Sequence, residues 1–323
     1  MQRRSLVATA AAVALGGLAQ PALGQPWPSR PIRVILPVPP GGGTDILARI
    51  VAPHLQERLG QPVLIENRAG GGMTIGTNLV AKAEPDGHTM LMIDTAIAVN
   101  PSLYRNLPYD TQRELQAVAL AATAPVILVA AANFPPNTVA ELLAYARANP
   151  GRVNFASGGN GTSTHLSGEL LRHVGGIDIV HVPFQGSGPG VTALLGGQTQ
   201  IMFSGISSTR QHVEAGRLKG LAVTGDSRSP SMPNIPTFAE AGLPEMNAET
   251  MWGFWLPAGA PPAIAERFAR ELAAVLAMPA VKERVESLGF VPRGSTPAAY
   301  RTRFEAELAK WAPIIRQAGI QAG

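Results

Sequence analysis

The 323-residue sequence contains no cysteine. That absence excludes a disulfide framework, cysteinyl zinc sites and thiol catalysis together. It also removes the residue on which a bacterial lipoprotein carries its acyl chains, so no lipid anchor is expected. Past the amino-terminal segment there is no run of about 18 apolar residues, which leaves no candidate membrane-spanning helix. Charge is sparse as well: 26 Lys and Arg stand against 22 Asp and Glu, for a formal net charge of +4. So small an excess forms no basic stripe, and nucleic acid is not an expected partner. Catalytic signatures are missing too. Gly41-Gly42-Gly43 has neither dinucleotide-fingerprint spacing nor the lysine of a phosphate loop. No Gly-x-Ser-x-Gly elbow occurs, although Ser157, Ser163, Ser187 and Ser204 are candidate hydroxyls. His165 and Glu169 share a helix face, but no second histidine completes a zinc motif, and His181 reads as a core residue of an apolar strand. No metal or cofactor is expected.

What is present begins with an export signal. Arg3 and Arg4 precede the apolar run Leu6–Ala19, and Ala22-Leu23-Gly24 supplies small residues at a cleavage point. Residues 1–24 are therefore expected to be removed after Gly24, releasing the chain into the periplasm by either the general or the twin-arginine route. The remaining roughly 300 residues suit two domains of about 150 each.

Short apolar segments alternate with amphipathic ones, which predicts an α/β protein with mostly parallel sheets flanked by helices. Ile32–Leu36 is the first strand, and the helix after it carries Ile46, Leu47, Ile50, Val51, Leu55 and Leu59 at helical spacing. A second lobe is expected to start at Pro125, with Thr138 and Glu141 at capping-box spacing in its first helix. The segment Gly225–Ala248 returns the chain, and Met251–Leu256 re-enters the first lobe. The expected division is residues 25–124 with 249–323 in one lobe and 125–248 in the other. Helices at Pro261–Met278 and Pro297–Gln317 are expected to cover the first lobe.

The pattern strand, glycine-rich loop, Gly43-Thr44, helix recurs about 118 residues later at Gly161-Thr162. Each lobe thus carries a loop that leaves a parallel strand and enters a helix, the place where open α/β sheets bind ligands. A helix start offers unpaired N–H groups and partial positive charge, and glycine lets an anion approach. Three loops qualify as candidates, and none contains arginine or lysine. They supply Gly42, Gly43, Thr44 and Asp45, then Asn160, Gly161, Thr162 and Ser163, then Gly186 and Ser187. Capping and ligand contact are both open for Asp45. Asp94 ends a strand that points into the cleft, where it either receives a cationic group such as an amine or stands as a solvated loop residue.

Ordered blocks along the chain carry a resemblance. They include Pro39-Pro40-Gly41-Gly42-Gly43-Thr44-Asp45, Glu66-Asn67-Arg68, Pro85-Asp86-Gly87-His88-Thr89, Asn100-Pro101-Ser102-Leu103-Tyr104, Ser157 to His165, and His181-Val182-Pro183-Phe184. In these blocks the sequence resembles the tripartite tricarboxylate transporter receptors, the TctC or Bug family of periplasmic solute-binding proteins. The resemblance implies a two-lobed, type II periplasmic-binding-protein-like fold with two crossover segments. It further implies an interlobe cleft closing on a carboxylate ligand, which is then delivered to a membrane carrier of one small and one large subunit. The site residues it carries over lie in Gly42–Asp45, Thr95, Asn160–Ser163 and Gly186-Ser187. Three positions depart from the family pattern. Val38 replaces a usual aromatic, Gln185 a frequent lysine, and Asp94 a small residue, so the expected ligand is a small organic acid, amino acid or related carboxylate rather than a tricarboxylate. The alternatives are a sensory co-receptor of the same fold and, more remotely, a periplasmic serine hydrolase.

Overall fold

Residues 27–321 are described by a computed structural model; the expected export signal and its cleavage after Gly24 lie outside them. The chain opens as β1 (Ile32–Leu36), α1 (Gly43–Leu59), β2 (Val63–Asn67), α2 (Thr74–Ala81), β3 (Thr89–Ile93) and α3 (Ala96–Leu103). A short α4 (Thr111–Glu114) leads into β4 (Leu115–Ala124). The second region begins with β5 (Val126–Ala131), α5 (Val139–Ala148), β6 (Val153–Ser157), α6 (Ser163–Gly175) and β7 (Ile179–Pro183). It continues through α7 (Ser187–Leu195), β8 (Ile201–Gly205), α8 (Ile206–Glu214) and β9 (Leu218–Val223). The chain then closes with β10 (Thr250–Pro257), α9 (Pro262–Leu276), α10 (Pro279–Ser287), β11 (Val291–Pro292) and α11 (Pro297–Gln317).

Two sheets result, ordered β11-β4-β10-β3-β1-β2 and β7-β6-β8-β5-β9. In each, three helix-linked strands pair in parallel, β2-β1-β3 in one and β7-β6-β8 in the other. A crossover strand then joins antiparallel, β10 beside β3 and β5 beside β8. The parallel character expected from the sequence therefore belongs to one half of each sheet, and the crossover strands make the other half antiparallel. The repeat seen around Gly43 and Gly161 thus extends to the order of five strands per sheet. Because helices cover both faces, the central strand β5 reads as a continuous apolar run.

Strand β4 has no strand signature. Its sequence Leu-Gln-Ala-Val-Ala-Leu-Ala-Ala-Thr-Ala is rich in alanine, which is depleted from strands in general. Tertiary packing imposes the conformation: β10 pairs along its length, while one face joins the cluster of Phe268 and Leu272 and the other that of Tyr300 and Phe304.

Helix α11 corrects one expectation. Only its first half covers the first sheet, where Tyr300 and Phe304 pack on Trp255. Its second half belongs to the core of the other sheet, because Trp311, Ile314 and Ile315 join the cluster built on β5, β6 and β8. The helix is a strap across both sheets. Trp311 is 2 % exposed and its indole N–H donates to Glu307 Oε2 at 2.7 Å. Trp311→Ala is expected to cost about 3–5 kcal/mol, measured by urea unfolding. A loss below about 1 kcal/mol would show that the strap adds nothing to that core.

Candidate ligand-binding site

A cavity of about 680 Å³ lies where the two sheets face each other. Six helix starts reach it, three from each sheet, because every parallel strand releases its helix at the same sheet edge. On one side stand Gly43 of α1, Gly72 and Met73 before α2, and Thr95 and Ala96 at α3. On the other stand Asn160 to Thr164 at α6, Ser187 of α7, and Gly205 and Ile206 at α8. The crossovers contribute Pro125 and Thr250.

These helices are capped differently from those elsewhere. Away from the cavity, Asp110, Thr138 and Thr296 cap α4, α5 and α11 with side-chain oxygens, and α9 and α10 start on proline. At the cavity, α1, α2, α3, α7 and α8 have no capping hydrogen bond from the N-cap side chain. Of these six, α6 alone is capped by its own N-cap side chain, Thr162 Oγ1 accepting from His165 N at 3.3 Å, while at α3 the preceding Asp94 takes Ala96 N. Unsatisfied N–H groups therefore converge, and each helix start favours an anion by about 0.3–1 kcal/mol, up to ~2 when partly buried.

The loop before α6 is held by its own hydroxyls. Thr164 Oγ1 accepts from Gly158 N at 2.9 Å, and the Thr162 hydroxyl donates to the Gly159 carbonyl at 2.7 Å. His165 Nδ1 accepts from Gly161 N at 3.0 Å, and its ring stacks on His181 with centroids 3.7 Å apart. Burial, and to a lesser degree the neighbouring His165, push the His181 imidazole down to about 4. Gly161 has φ +75°, and a Cβ there would sit 2.8 Å from Leu103 Cδ2 of α3. The two lobes touch at that glycine.

The first lobe contributes a left-handed turn. Gly70, Gly71, Gly72 and Met73 all have positive φ, and Met73 is the one such non-glycine among the described residues. Asn100 Nδ2 donates to the Gly72 carbonyl at 3.0 Å, and a Cβ on Gly72 would lie 1.9 Å from the Tyr104 hydroxyl. Trp252 and Phe290 add an apolar wall, edge to face with centroids 4.9 Å apart. The half-buried Asp94 is the one acidic or basic side chain on the cavity lining. Its Oδ1 accepts from Ala96 N at 2.9 Å, yet burial pushes its carboxyl up to about 6.

Of the expected site residues, the cavity wall takes in Gly43, Asp94, Thr95, Asn160, Gly161, Thr162, Ser163 and Ser187. Seven others lie outside it. Val38 packs on the first core and its carbonyl accepts from Asn67 Nδ2. Gly42 is the exposed N-cap of α1, and Thr44 turns its hydroxyl to accept from Trp252 Nε1 at 3.0 Å. Asp45 is a clasp for its own loop: it accepts from Gly41 N, Arg49 and Asn67, and Arg49 above all holds its carboxyl down at about 2. Ser157 is fully buried, with its Oγ 2.6 Å from His181 Nε2, and Ser204 is fully buried within β8. The Gly186 N–H donates to the Gly158 carbonyl and so ties two loops together.

Gly72 and Met73 were not among the expected site residues. The run of three glycines before a helix was the available signal. Trp252 and Phe290 had none, since they come from segments remote in the chain.

The match to a family model decides the relationship: residues 47–320 fit the tripartite tricarboxylate transporter family receptor. The chain belongs to that family. Among its relatives, protein BugT of Bordetella pertussis is 36 % identical over 311 residues, covering 96 % of this chain and 95 % of BugT. Two solved family structures share the fold. Rpa4515 of R. palustris, solved with adipate, has a TM-score of 0.76 and 32 % identity, covering 91 % of this chain and 99 % of that one. MatC of Rhodopseudomonas palustris, with bound malate, has a TM-score of 0.71 and 30 % identity, covering 90 % of this chain and 100 % of that one. Family receptors are periplasmic solute-binding proteins, and the two-lobed α/β architecture is theirs.

Two outcomes are expected at this site. Gly161→Ala strains a positive-φ position and presses on Leu103, so it should lower ligand affinity at least tenfold and cost about 1 kcal/mol or more of stability; unchanged affinity by calorimetry would remove the contact from the closing motion. The Asp94 carboxyl titrates higher in the folded chain than in the unfolded one, so its ionisation opposes folding above about pH 6 and not below about pH 4. Ligand-free Asp94→Asn should therefore melt a few degrees above the parent at pH 8 and together with it at pH 4. A lower melting point at pH 8 would mean that the carboxylate is stabilised instead.

Proposed function

We propose that this receptor captures a small carboxylate-bearing molecule in the interlobe cavity and hands it, chemically unaltered, to a membrane carrier of one small and one large subunit. The convergence of uncapped helix starts from both sheets, α1 and α2 from one and α7 and α8 from the other, carries this reading. Bound adipate in Rpa4515 and malate in MatC support a carboxylate as the ligand class. Residues 1–24 serve as the export signal and are cleaved after Gly24 to leave the mature chain in the periplasm. Residues 25–124 with 249–323 move against 125–248 about the crossovers near Pro125 and Glu249, and closure excludes water and strengthens each polar contact. A micromolar dissociation constant corresponds to about 8 kcal/mol, within reach of a few charge-assisted hydrogen bonds plus burial.

The close pairing of Ser157 Oγ with His181 Nε2 favours a second reading, a serine hydrolase. Against it, Ser157 is fully buried away from the cavity lining and its Oγ accepts from Gly159 N at 3.1 Å. Trp252 in the cavity wall is a built-in reporter. Titrating the mature protein with organic acids and amino acids while following its fluorescence should reveal micromolar binding of at least one compound, recovered intact by mass spectrometry. Silence across the panel would sink the receptor reading, and ester turnover lost on Ser157→Ala would replace it with the hydrolase.

A further inference from the structure

The start of α3 differs from the other helix starts at the cavity. Its leading N–H is already engaged by a carboxylate of the chain itself, since Asp94 Oδ1 accepts from Ala96 N at 2.9 Å. The position that a ligand carboxylate would take at a free helix start is filled in advance. Asp45, the acid near the α1 start, has Arg49, Asn67 and Gly41 N around it and does not line the cavity. Asp94 has no comparable partner, and the cavity lining contains no lysine, arginine or histidine. The neighbouring titratable group from α11 is Tyr300, whose hydroxyl accepts from Trp255 Nε1 at 2.9 Å. Burial and the nearby Asp94 charge push that phenol up, so Tyr300 stays neutral and supplies no counter-charge.

A second carboxylate placed beside Asp94 would meet like charge in a partly desolvated space. An ammonium would instead neutralise a half-buried carboxylate that has no cation beside it. Building on the receptor reading above, we propose that Asp94 is the specificity-determining residue and that the ligand is a small zwitterion, an amino acid in the broad sense. Its carboxylate meets the free helix starts of α7 and α8 on the second lobe, and its ammonium meets Asp94 on the first. Such a ligand spans the gap with opposite charges at its two ends, and both lobes gain only when they close on it. The raised Asp94 carboxyl fits this assignment, because a bound cation removes the cost of its ionisation.

The test is a matched series at pH 7.5, comparing α- and ω-amino acids with the diacids and simple monoacids of equal carbon number. At least one amino acid should bind tenfold or more tightly than its diacid counterpart. Asp94→Asn and Asp94→Ser should each weaken that amino acid at least tenfold and erase the preference. Calorimetry at pH 6 in buffers of different ionisation heat should show proton release on binding, as the ammonium drives Asp94 to ionise. Diacid binding as tight as that of the amino acid, a preference unchanged in both variants, or no proton release with the amino acid would overturn the assignment while leaving the receptor reading intact. If no acid binds the parent or either variant although all three unfold cooperatively, both readings fall together.

Discussion

An α-helix must begin with N–H groups that nothing in the helix can satisfy, and the topology of this receptor gathers six such beginnings around one space. A parallel strand can be followed by another only through a crossover, and the crossover helices all start at the same sheet edge. Two sheets of matching order, β2-β1-β3-β10-β4 and β7-β6-β8-β5-β9, then set their edges face to face. Polarity in the cavity is thus a property of the backbone. Side chains modulate it by closing off particular N–H groups, as Thr162 and Asp94 do, or by leaving them open. A site made in this way takes anions in general, and its selectivity rests on the few side chains that interrupt the pattern.

The two crossovers meet a buried ionic cluster that fixes where they can bend. Thr123 at the end of β4 donates to Glu249, which enters β10, and Arg293 reaches both. Glu249 is also approached by Arg303 of α11, and Arg303 pairs in turn with Glu307, which receives Lys310 and Trp311. Glu249 and Glu307 are almost fully buried, and a buried acid whose bases were removed would be strongly destabilising. Burial pushes the Glu249 carboxyl up, and Arg293 and Arg303 pull the other way. Both crossovers and the strap helix are thereby tied at one point.

The sequence made legible whatever depended on local pattern. Periodicity placed α1, capping-box spacing placed α5 with Thr138 accepting from Glu141 N, and a short, mostly apolar segment placed β1. The family and the two-lobed architecture followed from ordered motif blocks. What escaped was set by tertiary packing. Alanine-rich β4 is a strand because of its neighbours, and α11 divides its apolar stripe between two cores, which no single helical period announces. Within the site, loops gave the right neighbourhood but not the direction of each side chain. Thr44 and Asp45 stand in the first turn of α1 and Ser157 ends β6, all beside the cavity, yet each turns its oxygen to a partner inside the protein. Trp252 and Phe290 reach the wall from distant segments and leave no local trace.

The position of β10 has a consequence for how the chain acquires its structure. This strand lies between β3 and β4, so the first sheet stays split until residue 257 has been made, and the second core still lacks Trp311 and Ile314 from the final helix. Neither half can complete itself while the polypeptide is emerging from the ribosome. Each half thus reaches its full set of core partners only when the last helix has been made.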